Sequence, residues 1–420
     1  MADSMNLVTA QISFLPILRL LFGEDHDEDA AKISWTNRHD FLNVSITPIE
    51  CSIICSRYLA DRFILPLAEA LNTLYARNPK GLKMEIQISA EDYIVIQVDG
   101  QGLDAGQRVL ELTSPLAMAG ISIFFITTYF SDYILVPFRS RRTVTQALQQ
   151  RGFVFSQTAD AFVSQLSPSS PTLPHGGRSI TTSPFYENSA PTTPPAKDIP
   201  ELQIRTFTKL QRHNISPLVD DSVRLANCAG SREYNQTNEE QLKNDLLQVL
   251  LSTSSLPQRT PSTSSSKTAS TLGLENSSAS TSSRPDFGAK FLSLTITAGE
   301  PISVLLERRL LDRLGESLLG AKSEDDVLIP ITLDLRELPL DATGIVCGVA
   351  GRLAQGSAEG EDGLNNNSPK MLGTTINTEP VEISFLSTAR AGTVIVKASQ
   401  LEQALDALEY GMKRATTSST

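Results

Sequence analysis

The residue types best suited to hold a ligand sit at two loop-to-helix junctions. Leu103-Asp104-Ala105 and Leu340-Asp341-Ala342 each set an acid just ahead of an apolar helical stretch. A helix start presents unpaired backbone N–H groups and the positive end of the helix dipole, which together suit a small carboxylate. A strand start such as Ile121-Ser122-Ile123 can face such a junction with backbone partners for an amino or carboxylate group. Each Asp can equally do no more than cap its helix. Covalent chemistry has less support. No Walker loop, dinucleotide fingerprint, nucleophile elbow or His-Glu-x-x-His motif occurs in the 420 residues. The four histidines, His26, His39, His175 and His213, stand apart from one another and read as surface residues. The loop Asp99–Asp104 lacks the acidic spacing and distal Glu of a calcium site. The expectation is a protein with no catalytic residue, no cofactor and no metal.

Composition narrows the partners. The formal net charge is -11, and the tightest basic cluster is only Arg139, Arg141 and Arg142, which argues against nucleic acid. Cys51 and Cys55 lie four apart in a strand-like run, on one face but too distant to bond. With no secretory signal, reduced thiols are expected. The apolar run Ile12–Phe22 is broken by Pro16 and Arg19 and is too short to cross a bilayer. These features point to a cytoplasmic chain with no membrane segment.

Hydrophobic periodicity supplies the elements that must position the junctions. Strands are expected at Leu7–Phe14, Phe41–Ile46, Cys51–Ser56, Met84–Ile88 and Tyr93–Val98. A helix over Tyr58–Tyr75 puts Leu59, Phe63, Leu67 and Leu71 on one stripe, and another displays Val109, Leu112 and Leu116. Strands Ile121–Thr128 and Asp132–Val136, a helix Arg141–Gln150 and a closing strand Phe153–Phe155 follow. Strand, helix, two strands, helix, strand is a ferredoxin-like order.

The second half repeats it. Ile121–Val136 aligns without a gap on Val381–Val396, matching Ile123 with Ile383, Phe125 with Phe385 and Thr128 with Thr388. Tracts rich in Ser, Thr and Pro, or in Gly and Asn, interrupt the pattern and cannot bury enough apolar area to order. The map is a module at 5–90, a second at 91–156 and a disordered linker at 157–199. A third module spans 200–320 with an insert at 252–286, a fourth spans 326–413 with an insert at 356–378, and a tail closes at 414–420. The fold class is α+β: tandem βαββαβ modules in two pseudo-symmetric halves, whose interface would lodge a small ligand.

The hairpin Ile126–Val136 resembles that of the second module in the CASTOR-type arginine sensors, tandem ACT-domain regulators of the cytosol. Leu340–Val346 is similar to the start of their fourth module, and Phe41–Ser56 looks like the strand pair of their first. The resemblance covers most of the chain outside the linkers and is weakest in the third module. It implies arginine held between the second and fourth modules. It also implies a ligand-controlled contact with an inhibitor complex upstream of the TOR kinase. Residue by residue, Ser122 and Ile123 fall on the ligand-contacting strand start, and Ala342, Thr343, Gly344 and Ile345 on the loop and helix start. Thr388 and Ala389 fall on the strand end over the ligand, and Tyr129 and Asp132 on a partner-binding patch. The sequence departs from the pattern where acids would hold a guanidinium: these positions are Gly392 and Ala342, with Asp341 or Glu382 as possible substitutes. The open readings are a sensor for arginine or another amino acid, a constitutive scaffold, and a regulatory subunit of an amino-acid metabolic enzyme, with a homodimer possible for any of them.

Overall fold

A strand covered on both faces must be apolar or satisfy its polar groups internally, and that demand shapes this fold. The computed structural model describes residues 5–9, 14–23, 34–77, 86–98, 105–155, 196–230, 236–253, 288–313, 317–320, 326–355 and 381–417. The first module contains β1 (Met5–Thr9), α1 (Phe14–Phe22), β2 (Leu42–Ile46) and β3 (Cys51–Ser56). Next, α2 (Arg57–Leu59) runs through a π turn (Ala60–Ile64) into α3 (Leu65–Arg77), and β4 (Gln87–Ile88) closes the module. The second has β5 (Tyr93–Val98), α4 (Ala105–Met118), β6 (Phe124–Thr127), β7 (Asp132–Pro137) and α5 (Arg141–Gln149). After α6 (Ile199–Arg212) and β8 (Pro217–Val219), the third has β9 (Leu225–Gly230), α7 (Gln236–Thr253), β10 (Leu292–Ile296), β11 (Ser303–Glu307) and β12 (Leu318–Gly320). The fourth has β13 (Leu328–Asp334), α8 (Ile345–Ala354), β14 (Ile383–Ser387), β15 (Ala391–Lys397) and α9 (Leu401–Thr417).

The fifteen strands among the described residues join in one antiparallel sheet that doubles over on itself. One layer runs β12-β9-β11-β10-β2-β3-β1, with β4 beside β1, and the other β5-β7-β6-β14-β15-β13-β8. The first and third modules meet edge to edge, Leu42–Ile46 against Leu292–Ile296. The second and fourth meet at Ile126 opposite Leu386. Pseudo-symmetry therefore pairs modules across the two halves of the chain. The single pairs Met5–Tyr93 and Leu225–Leu328 join the layers.

Strict alternation sorts the side chains. On β7, Ile134 and Val136 enter a core under α4, α5, α6, α8 and α9, while Tyr133 and Leu135 enter the core between the layers. On β2, Leu42 and Val44 face the helices of the first and third modules. Their alternants Asn43 and Ser45 are buried too, between the layers, and bond with Ser293 and Thr295 of β10. The stripe Leu59, Phe63, Leu67 and Leu71 packs on the first core. Residues four apart drift by about 40° per step on an α-helix, and the wider π turn takes up that drift.

Several expected elements differ. The first strand stops at Thr9, and Phe14 already begins α1. The strand expected at Met84–Ile88 is confined to Gln87–Ile88, with 78–85 outside the described residues, and the one expected from Ile121 begins at Phe124. Phe153–Phe155 makes no ladder, although Phe153 and Phe155 still pack on the core beneath α4 and α5. The stretch mapped as linker resumes as packed chain at Ala196. The start of the third module, α6 and β8, instead serves the fourth: β8 takes the fourth-strand position beside β13. Ser252 and Thr253 belong to α7, and α9 continues to Thr417 because Ala415 is buried. His39 is buried rather than superficial. The rest of the linker, the inserts, the acidic run Glu24–Asp29 and the loop Asp99–Asp104 lie outside the described residues.

Two hairpin turns lock the layers together. Glu300, between β10 and β11, accepts Gln97 Nε2 (2.7 Å), Ser131 Oγ (2.6 Å) and Tyr133 OH (2.8 Å) from the second module. Ser303 Oγ accepts Tyr129 N at 2.8 Å. In the mirror position, Glu50 Oε1 accepts Thr388 Oγ1 and Arg390 N, each at 2.5 Å.

Candidate functional site

A small cleft opens where the second and fourth modules meet on the helix side of their sheet. Thr113 and Ala117 of α4, Ile121 and Ile123 before β6, and Ala342, Gly344, Ile345, Val346 and Cys347 line it. The helix start at α8 is unusual. Its N-cap is Gly344, at φ +83°, with no side-chain cap. Asp341, expected at that cap, lies three residues earlier in an exposed turn. The first turn of α8 thus brings backbone N–H groups that no side chain caps to the edge of the cleft.

Why Gly344 is a glycine follows from α6, which lies across this junction. A Cβ on Gly344 would stand 3.0 Å from Leu202 Cδ1, and one on Gly348 only 2.3 Å from Thr206 Oγ1. Thr206 donates to Gly344 O at 3.0 Å, and Lys209 Nζ to Thr343 O at 3.4 Å. Burial pushes the Lys209 amine below its usual value, and the charge of Asp341 pulls it back. The fully buried Phe207 anchors the helix, a contribution of about 1.5–3 kcal/mol.

Among the described residues, no charged side chain lines the cleft. Thr113 donates to Val109 O at 2.7 Å, and burial raises the Cys347 thiol to about 11, so neither supplies an ion at neutral pH. The space, about 20 Å³, holds a water or so and no amino acid unless the walls part.

The structure brings together only part of the expected set. Ile123, Ala342, Gly344 and Ile345 line the cleft; Ser122, Asp341 and Thr343 flank it in sequence without lining it. Thr388 and Ala389 sit in the β14–β15 turn and face the space between the layers. Gly392 faces Leu335 and Phe385 on the other side of that sheet. On the expected partner patch, Tyr129 is 45 % exposed and packs its ring against the exposed Phe130. Asp132 is 1 % exposed and is held by Arg108 Nε at 2.5 Å. Thr113, Ala117, Val346 and Cys347 were missed; small residues at 113 and 117 on an otherwise large apolar face are their sequence signal. Glu50 and Glu300 were missed as well, although Thr47-Pro48-Ile49-Glu50 and Thr297-Ala298-Gly299-Glu300 repeat after equivalent strands.

Residues 88–150, the second module with its cleft-lining helix, match the model of the ACT domain family. The chain carries an ACT domain. Such a domain suggests an amino-acid-binding regulatory role, and the cleft lies between it and the fourth module. No curated protein matches the chain. Among solved structures, an aspartate kinase from Synechocystis is similar at 11% identity and a TM-score of 0.27, over 99% of this chain and 55% of that one. The chain thus spans about half the length of that protein. Among the described residues, no helix is long and apolar enough to cross a membrane, and no cluster of His, Cys, Asp and Glu could hold a metal.

Proposed function

We propose that this chain is a non-catalytic regulator that binds an amino acid between its ACT domain and fourth module and signals occupancy to a protein partner. The observation that carries this reading is the uncapped start of α8 at the cleft, where backbone N–H groups await a carboxylate. The described lining offers no acid to a buried guanidinium, which supports a ligand other than arginine. A small neutral side chain fits it better. Tyr129 and Phe130 are the exposed group offered to a partner, in keeping with a ligand-controlled contact upstream of the TOR kinase.

The test is a thermal-shift screen of the full chain against all proteinogenic amino acids. A ligand at 100 times its Kd adds about 2.7 kcal/mol, roughly 5 °C or more for modules of this size. Ala117→Leu, which fills the cleft from α4, should remove the shift. Gly344 variants are unsuitable, since any side chain there disturbs α6. A flat profile at millimolar concentrations would leave the second reading, a constitutive scaffold with a closed cleft. The small volume of the cleft favours that reading.

A further inference from the structure

The two interlayer contacts occupy equivalent positions but are unequally satisfied. Ladder register fixes the correspondence: Tyr133 opposite Ile126 and Gln97 matches Thr393 opposite Leu386 and Thr332. Ser303 opposite Thr295 matches Ser52 opposite Ser45. On the Glu300 side, both carboxylate oxygens and Ser303 Oγ have partners. On the Glu50 side, Glu50 Oε2, Ser52 Oγ and Thr393 Oγ1 are buried without any. The three residues are 8 %, 1 % and 0 % exposed.

These orphans lie on facing surfaces. Glu50, Ser52 and Ile54 alternate onto the inner face of one layer, and Ala391, Thr393 and Ile395 onto the inner face of the other. Ile54 and Ile395 belong to the same interlayer core, and Glu50 touches the backbone of Arg390. Ser52 and Thr393 therefore lie between two points where the layers meet. The hydroxyls can rotate, yet neither bonds to the carboxylate, which leaves all three oxygens open to a bridging species. All three are oxygens, and one belongs to a carboxylate buried away from water. The Arg390 guanidinium donates to Gln87 Oε1 at 2.9 Å and not to the carboxylate, on which it acts through its charge alone, too weakly to overcome burial.

We infer that Glu50, Ser52 and Thr393 form a binding site for a compact monovalent cation, an alkali ion or ammonium, between the first and fourth modules. Hard oxygen donors suit such ions, and a bare cation needs far less space than the phenol that fills the mirror position. Its charge would offset the buried carboxylate, which a bridging water could not. The site is separate from the cleft, so it stands or falls independently of amino-acid binding.

The experiment is thermal melting of the full chain in chloride salts of tetramethylammonium, sodium, potassium, rubidium and ammonium at equal ionic strength. The expected result is a saturable rise of a few degrees for one or more compact ions over tetramethylammonium. Glu50→Gln and the near-isosteric Thr393→Val should abolish that difference, while Glu300→Gln keeps it. Identical melting in all five salts would overturn the site. So would ion selectivity that survives in both Glu50→Gln and Thr393→Val, since the ion would then bind elsewhere. Should either variant fail to fold, crystals of the unaltered chain soaked in rubidium decide the matter: an anomalous peak between Glu50 and Thr393 supports the site, and its absence sinks it.

Discussion

The contact between the second and third modules is fully hydrogen-bonded, and its mirror between the first and fourth is not. Around Glu300 stand Gln97, Ser131 and Tyr133; the equivalent positions around Glu50 hold Thr332, Ala391 and Thr393. The Tyr133 ring also packs against Phe41, with centroids 5.1 Å apart. The repeat supplies two equivalent frames, and only one of them carries long donors. The emptied side holds the hairpin that includes Thr388 and Ala389, the filled side the hairpin that includes Tyr129 and Phe130. Holding the hairpin of Tyr129 and Phe130 while leaving the other under-satisfied is what a protein with one stationary and one adjustable wall requires. The Ser52 and Thr393 hydroxyls can move without breaking a bond, so rearranging this side costs only the Glu50 bonds to Thr388 and Arg390.

Copying the loose side onto the tight one should have the largest effect. Tyr133→Thr removes a buried ring and its bond to Glu300, and should cost about 3 kcal/mol or more in denaturant unfolding. A loss under about 1 kcal/mol would mean that the two contacts differ only on paper. Single-atom changes come next and should differ in sign. Tyr133→Phe leaves Glu300 Oε2 short of a donor and should lose about 1–2 kcal/mol. Thr393→Val, compared in tetramethylammonium, deletes a hydroxyl that bonds to nothing and should gain up to about 1 kcal/mol. Equal losses from both would contradict the asymmetry.

Much of this frame was legible in the residues. The gapless match of Ile121–Val136 to Val381–Val396 gave the correspondence of Tyr133 with Thr393, and the apolar stripe of α4 gave its buried face. What stayed hidden was long-range. Asn43, Ser45 and Ser52 look like the solvent side of alternating strands, and only a second layer makes them interior. Likewise α6 reads as the start of a third module, because nothing local reveals that Thr206 seats on the glycines of α8. The cleft was half legible: its helix junction announces itself, while Thr113 and Cys347 need the packing of α4 on α8 to bring them together. Asp132 shows the same long-range effect: Arg108 of α4, two elements earlier, holds its carboxylate inside.

The smallest effect concerns protons. Burial holds the Glu50 carboxyl above its ordinary 4.5, against the bonds from Thr388 and Arg390 that pull it down. The folded chain therefore binds this proton more tightly than the unfolded chain does. The group's contribution to stability is fully present below the unfolded value and is lost as pH rises through the raised folded value. Glu50→Gln keeps an acceptor for Thr388 and Arg390 but cannot ionise. In tetramethylammonium, the variant should gain on the parent chain as pH climbs from about 4.5. Glu91, whose carboxyl burial also raises, is common to both proteins and cancels in the difference. Parallel melting profiles across that range would show that the Glu50 carboxylate is already compensated. A stabilising cation should shrink the gap, since it favours the ionised form that burial penalises. A gap of the same size in every salt would mean that the proton and the cation act at different places, and the loose contact would then be a structural remnant without a ligand of its own.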